Sequence, residues 1–314
     1  MKALYYHRYG DADVLAYGDA PRPAPGPGEV LIEVAATSFN PVDAGIRGGY
    51  LAEVYSISFP HVPGVDVAGT IAELGDGVRG WQVGDPVIAM LPLDADGAAA
   101  EFALAPAGSL ASAPRSLDLG DAAALPVVGL TAWQSLFEIA DVTAGKRVFV
   151  NGAGGAVGGY AVQLAARAGA VVTATAKSRG VDRLRRYGAD RVVDYVDFDT
   201  RPLAVEGAPF DVVLNLVATT DGDTEALIRL VADGGIHVGT MAFGPTEPGR
   251  GVRSQRVFVR SDAAQLAELV RRVDDGELDV DVAERLPIDR AAAVHEASDA
   301  GRLHGKTVLV PVVE

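Results

Sequence analysis

The stretch from Phe149 to Ala170, FVNGAGGAVGGYAVQLAARAGA, places five of its six glycines within the eight residues 152–159, between an apolar run and a helical pattern. Glycines crowded in this way leave the backbone open to close approach by another group. Where a strand turns sharply into a helix, the first helical N–H groups are unpaired and lie at the positive end of the helix dipole, which suits an anion such as a pyrophosphate. The frame nearest the helix start reads Ala153-Gly154-Gly155-Ala156-Val157-Gly158, with Gly152 just ahead of it. That is the dinucleotide fingerprint G-x-G-x-x-G with Ala in the first place. A tight turn without a ligand is the plain alternative. The context favours the nucleotide, because a strand before, a helix after and a second strand from Val171 form one βαβ unit.

The end of that second strand bears on the choice of cofactor. An acidic residue there binds the ribose 2′-hydroxyl of NAD, whereas basic groups accept the 2′-phosphate of NADP. The chain reads ATAKSRG, so Lys177, Ser178 and Arg179 stand where the acid would be, and NADPH is the expected cofactor. The alternative is a loop in which Lys177 and Arg179 are merely solvated.

Other chemistries are closed off. Without cysteine the chain has no disulfide, no thiolate nucleophile and no Cys-ligated zinc or iron–sulfur site. The five histidines, His7, His61, His237, His295 and His304, lack ligand spacing and read as surface or packing residues; no metal site is expected. A net charge of −15 speaks against nucleic acid as a partner. No apolar run approaches the roughly 20 residues that cross a bilayer, and the start MKALYYHRYG lacks the apolar core of a signal peptide, so a cytoplasmic protein without a membrane partner is expected.

The elements that must position these residues fall into two patterns. From Met1 to about Ala113 short apolar segments alternate with turn clusters, with strands expected near residues 2–6, 30–38, 65–74 and 86–90. From Asp121 strands alternate with amphipathic helices: Arg147–Asn151, Val171–Ala176, Arg191–Tyr195, Asp211–Val217 and Ile236–Thr240 read as strands, and YAVQLAARAG, VDRLRRYG and DTEALIRLVADGG as helices. This alternation predicts a parallel, doubly wound sheet. The tail is mixed again, with KTVLVPV as a last strand, so the C-terminal segment is expected to complete the first domain. The fold class is therefore α/β, a β-rich domain plus a doubly wound parallel-sheet domain.

Together with the glycine stretch, NPVDAGIRGGY (40–50), PGVDVAGTI (63–71), VGDPV (83–87), LPVVGLTAW (125–133) and GKTVLV (305–310) resemble the zinc-free quinone oxidoreductase (zeta-crystallin-like) branch of the medium-chain dehydrogenase/reductase superfamily, in order along essentially the whole chain. The resemblance implies a GroES-like catalytic domain, residues 1–118 and 256–314, and a Rossmann NADPH-binding domain, residues 119–255, with the active site in the cleft between them. It implies hydride transfer to a quinone, or to a related conjugated carbonyl that is electrophilic enough to need no metal. Two alternatives stay open: reduction of an activated C=C bond, as in enoyl reductases of the same superfamily, and a non-catalytic NADPH-binding structural protein.

By the same resemblance Asn40, Asp43 and Tyr50 line the substrate side, Asn40 donating to a substrate carbonyl and Tyr50 stacking on a ring or giving a proton. Turn chemistry is the alternative for this segment, with Asp43 fixing the turn or Arg47. Relatives often carry Tyr where this chain has Gly45, which implies a roomier pocket. Thr131 matches a position near the nicotinamide, or is a helix cap. Tyr195, at the end of the third strand, matches a position near the adenosine 2′-phosphate, or is an ordinary strand-end aromatic. Val217 and the turn Gly239-Thr240-Met241 end the fourth and fifth strands, where ligands of doubly wound sheets collect. His61, just ahead of Pro63-Gly64, is a candidate proton donor to the reduced substrate. Relatives are often dimers, and SQRVFVR (254–260) is the candidate pairing edge for a homodimer.

Overall fold

The computed structural model describes residues 1–200 and 202–312; the side chains of Arg179 and Pro248 lie outside the described residues. The chain divides into two units, Met1–Val127 with Arg260–Glu314, and Val128–Val259. The divisions fall nine and four residues later than the expected boundaries at 118/119 and 255/256. The cause at the first is visible: a short helical turn, Asp121–Ala124, packs on strands of the first unit.

The first unit opens with a hairpin of β1 (Lys2–Tyr5) and β2 (Ala16–Asp19), antiparallel to each other. Next come β3 (Glu29–Ser38), the short helix α1 (Pro41–Arg47), β4 (Asp66–Leu74), β5 (Pro86–Met90), β6 (Phe102–Pro106) and β7 (Ala111–Ser112). Val30, Ile32 and Val34 alternate along β3 and point into one core with Val67, Ile71 and Val87, as the two-residue period of a strand requires. The strands expected near 2–6, 30–38, 65–74 and 86–90 are all present.

The second unit begins inside α2 (Pro126–Trp133), which continues as a π-helical turn over Gln134–Ile139. Counted from Asp121, this helical run is long and apolar enough to cross a membrane by composition alone, contrary to the expectation that no such run exists. Its burial, 78% within the fold, accounts for it as a core helix. Six parallel strands follow: β8 (Arg147–Asn151), β9 (Val171–Thr175), β10 (Arg191–Val193), β11 (Phe210–Asn215), β12 (Val231–Gly239) and β13 (Arg253–Arg256). The helices α3 (Ala156–Arg167), α4 (Val181–Arg186) and α5 (Asp221–Ile228) connect them. The spatial order β10-β9-β8-β11-β12-β13 is the doubly wound order of a Rossmann sheet.

One element departs from its sequence pattern. LVADGG reads as the end of a helix, yet α5 stops at Ile228 and β12 already begins at Val231. Fully buried Val231 pairs with Phe210, and the register then slips before Val212 pairs with Ile236, so Asp233-Gly234 bulges out of the strand.

The chain then forms α6 (Ala263–Asp274), β14 (Glu284–Pro287), α7 (Ala291–Asp299) and β15 (Thr307–Val310). β15 pairs with β3, so the C-terminal segment does complete the first sheet. Leu309, Val294 and Ala291 join Leu4, Phe39 and Ala44 in one core.

Candidate active site

In the second unit the strand order reverses between β8 and β11, the point of a doubly wound sheet where the connections leave to opposite sides and a crevice opens. Gly152 follows β8 there with a φ of +88°, a conformation that side chains rarely adopt. A Cβ on Gly152 would also stand 2.8 Å from Val217 Cγ1, past the end of β11. Gly158 has a different role: its Cβ would lie 2.5 Å from the Ala153 Cα, so its absence lets α3 settle on the turn. At Gly154 and Gly155 an added Cβ meets nothing closer than 3.4 Å. These two positions leave room above the turn that the fold itself does not use.

Gly155 is the N-cap of α3 and offers no side chain to it, so the N–H groups of Ala156, Val157 and Gly158 begin the helix without a side-chain cap. The turn is held from below: the Gly152 N–H donates to Thr175 Oγ1 (2.9 Å), and the Gly155 N–H donates to the Gly152 carbonyl (3.1 Å). Buried Asn151 and Asn215, ending β8 and β11, join through Nδ2 and Oδ1 at 2.9 Å and lock the strand ends that flank the crevice. Open space beside uncapped helical amides is what a dinucleotide's pyrophosphate needs, so the residues present fit that group.

Lys177 is exposed at the end of β9, with its Nζ 5.2 Å from the centroid of the Tyr195 ring. Tyr195 itself lies two residues beyond the end of β10 rather than within it, half exposed, and its hydroxyl is 3.8 Å from the Cβ position of Gly154. The structure thus gathers Lys177, Tyr195 and the glycine turn. Ser178 is exposed in a short helical turn, and the Arg179 side chain lies outside the described residues. Val217, Gly239, Thr240 and Met241 meet at the carboxyl ends of β11 and β12: the Thr240 N–H donates to the Asn215 carbonyl at 3.1 Å, and the Met241 side chain is exposed.

The first unit holds a buried polar cluster. Lys306, 2% exposed, donates to the Phe39 carbonyl (3.0 Å), Asn40 Oδ1 (2.5 Å) and Asp66 Oδ2 (3.2 Å). Burial pulls its ammonium pKa down and the Asp66 carboxylate opposes that shift. Asp66 Oδ2 also accepts from Ser38 Oγ and Asn40 Nδ2, while Oδ1 takes the Val127 N–H (2.8 Å) at the first turn of α2. The expectation for Asn40 is therefore corrected. Its amide gives Nδ2 to Asp66 and the Ser38 carbonyl and Oδ1 to Lys306, and at 2% exposure nothing is left for a substrate carbonyl.

Asp43 closes a capping box with Asn40 at the start of α1 and accepts the N–H groups of Asn40, Gly64 and Val65. It fixes the turn, not Arg47, which donates to the Gly10 carbonyl and to Asp299. Burial pushes its carboxyl up to about 6, with the Asn40 N–H pulling the other way. Asp43, Tyr6 and His61 line a small cavity of about 10 Å³ together with the 62–65 backbone. Burial lowers the His61 imidazole and nearby Asp96 (3.4 Å) opposes the shift, so the ring is neutral near pH 7.

Tyr50 is 84% exposed in the turn after α1, away from the buried cluster. The space opposite Gly45 is filled in part by Leu51, whose Cδ1 would be 3.3 Å from a Cβ there. Thr131 is not a cap: it lies inside α2, 7% exposed, and its carbonyl accepts from Ser135 Oγ at 2.7 Å. Sequence reasoning missed Asp66 and Lys306 as a pair and Arg183 as a neighbour of the turn. The one signal for the first was a lysine inside GKTVLV, in a chain with four lysines. Among the described residues no three His, Asp or Glu side chains converge in a way that could hold a metal ion, and the chain has no Cys.

Comparison with known proteins agrees with this arrangement. Residues 26–115 match the family described as alcohol dehydrogenase GroES-like domain, and residues 187–309 the one described as zinc-binding dehydrogenase. A chloroplast envelope quinone oxidoreductase homolog of Arabidopsis thaliana is 42% identical over 201 residues, 62% of this chain and 61% of that protein, so the match spans less than two thirds of the relative. A 2-methylene-furan-3-one reductase of Solanum lycopersicum is 31% identical over 99% of this chain and 79% of its own length. The quinone oxidoreductase structure from Coxiella burnetii superposes with a TM-score of 0.87 at 27% identity, covering 99% of both chains. With its GroES-like and Rossmann units, its glycine turn and relatives of this extent, the chain belongs to the medium-chain dehydrogenase/reductase superfamily, among homologues of the quinone oxidoreductases.

Proposed function

We propose that this protein is an NADPH-dependent oxidoreductase that reduces a quinone or a related conjugated carbonyl without a metal. The observation that carries this reading is the uncapped turn at Gly154–Gly158, open above Gly154 and Gly155, with Lys177 and Tyr195 beside it. The first N–H groups of α3 hold the pyrophosphate, and Lys177 donates to the 2′-phosphate beside the Tyr195 ring. Val217 and Gly239–Met241 wall the remaining half of the crevice. Bound there, the nicotinamide supplies a hydride, and an acceptor that is already electrophilic needs no Lewis acid to take it. His61, buried beside Asp96, passes the proton in the first unit.

The tomato relative, matched over nearly the whole chain, favours a second reading in which a conjugated C=C bond is reduced. The chains pair through the free edge of β13 as a homodimer in the cytoplasm. The test is loss of NADPH absorbance at about 340 nm with a quinone panel and an enone panel. Oxidation with quinones supports the first reading and oxidation with enones alone the second. Binding without turnover against either panel supports the non-catalytic alternative. In Lys177→Glu, NADPH affinity should fall about 100-fold or more with little change for NADH, as expected for replacing a phosphate's cation by an anion. An equal loss for both nucleotides would remove the reason for choosing the phosphorylated cofactor.

A further inference from the structure

We infer that Arg183 is a positioning residue of the nucleotide turn, acting on the pyrophosphate half of the cofactor whether or not a 2′-phosphate is present. The inference rests on the nucleotide reading above. Arg183 is the third residue of α4, and its Nη2 donates to the Gly154 carbonyl at 2.7 Å, across a separation of 29 residues.

That carbonyl belongs to the residue whose Cβ side is open, at the place where the anion has to approach. A carbonyl oxygen carries partial negative charge, so one left loose beside phosphate oxygens would repel them. A charge-assisted hydrogen bond to a guanidinium holds the oxygen on the α4 side and adds positive charge next to the turn. The rest of the local account is consistent with this. The Gly152 N–H is taken by Thr175, the Gly152 carbonyl by the Gly155 N–H, and the Gly154 carbonyl by Arg183. The N–H groups of Ala156, Val157 and Gly158, which no side chain caps, are left at the helix start to face an anion. Arg183 thereby fixes the peptide plane that leads into the helix N-terminus. Lys177 differs, because it is exposed and rests on Tyr195 beyond the turn.

The test is nucleotide binding, without turnover, by Arg183→Met and Arg183→Lys. NADPH, NADH and ADP-ribose are each titrated by calorimetry, with thermal melts to show that each variant is folded. Arg183→Met should weaken all three ligands by a similar factor of about ten or more, the scale of one charge-assisted hydrogen bond. Because ADP-ribose keeps the pyrophosphate and drops the nicotinamide, its share in the loss assigns the effect to the turn. Arg183→Lys, which retains a cation able to reach the carbonyl, should recover part of the affinity. Unchanged affinities in the Met variant overturn the inference, and so does a loss confined to NADPH, which would place Arg183 on the 2′-phosphate. If Arg183→Met does not fold, a folded Arg183→Lys with unaltered constants for NADPH and NADH but a lower melting temperature assigns a purely structural role and also overturns it. A wild-type protein that binds none of the three ligands defeats the nucleotide reading itself, a result separable from any difference between variants.

Discussion

Lys306 carries an ammonium into a site that solvent hardly reaches, and Asp66 supplies the compensating charge from the strand next to β3. A buried pair of this kind adds little net stability over an apolar pair, but removing one member leaves the other charge desolvated and alone. Lys306→Met should therefore destabilise the protein by about 3–5 kcal/mol, read as a lower urea midpoint with an unchanged m-value. His237 gives a second test. It is fully buried on β12, with Nδ1 3.0 Å from Ser254 Oγ, and burial lowers its pKa to about 4. The native state thus binds fewer protons there than the unfolded state, so this stabilisation is present above pH 6.5 and lost as pH falls through about 4. The loss amounts to about 3 kcal/mol by pH 4. His237→Gln should flatten the fall in stability between pH 7 and 4, and an identical acid limb in the two proteins would count against it. At this scale the sequence was least informative. Asn40 reads as a ligand donor because its partner Lys306 lies 266 residues away, and no local pattern announces a contact of that separation.

Elements were more legible, and the reason is periodicity. Alternating strands and helices from Asp121 onwards predict the parallel sheet, and most strand limits agree to within two residues because buried β-branched runs are short and bounded by turns. The β12 start escaped notice since VADGG has the look of a helix C-terminus, and only the pairing of Val231 with Phe210 reveals it. The glycine frame can be tested element by element. Gly155 has a φ of −79° and ψ of 176°, which Val adopts without strain, and an added Cβ would meet the Gly152 carbonyl oxygen at 3.4 Å, an ordinary contact. Gly155→Val should keep the wild-type melting temperature and lose nucleotide binding. Gly158→Val, whose Cβ would meet Ala153 Cα at 2.5 Å, should lower the melting temperature as well. Binding retained in a folded Gly155→Val protein would show that the nucleotide does not approach there.

For the whole molecule, the two-part organisation followed from the change of pattern near Asp121, whereas the exact division did not, because the Asp121–Ala124 turn and Val127 are tied to strands of the first unit by contacts that composition cannot show. Among the described residues β13 lies at one edge of the six-stranded sheet, with β12 as its single neighbour. An edge strand offers unpaired N–H and C=O groups to a second copy. Sedimentation equilibrium should give twice the 32.4 kDa chain mass, and a monomer at micromolar concentration would refute the proposed pairing.

The interrupted layout of the first unit also orders events in time. Residues 128–259 are contiguous and can close their core as soon as the ribosome has released them, but β3 must wait for β15 before that flank is covered. Until Lys306 has been synthesised, Asp66 has no cation to meet it. The nascent chain should therefore acquire a protease-resistant second unit while the earlier-made residues of the first are still vulnerable, so the part translated first is the part finished last.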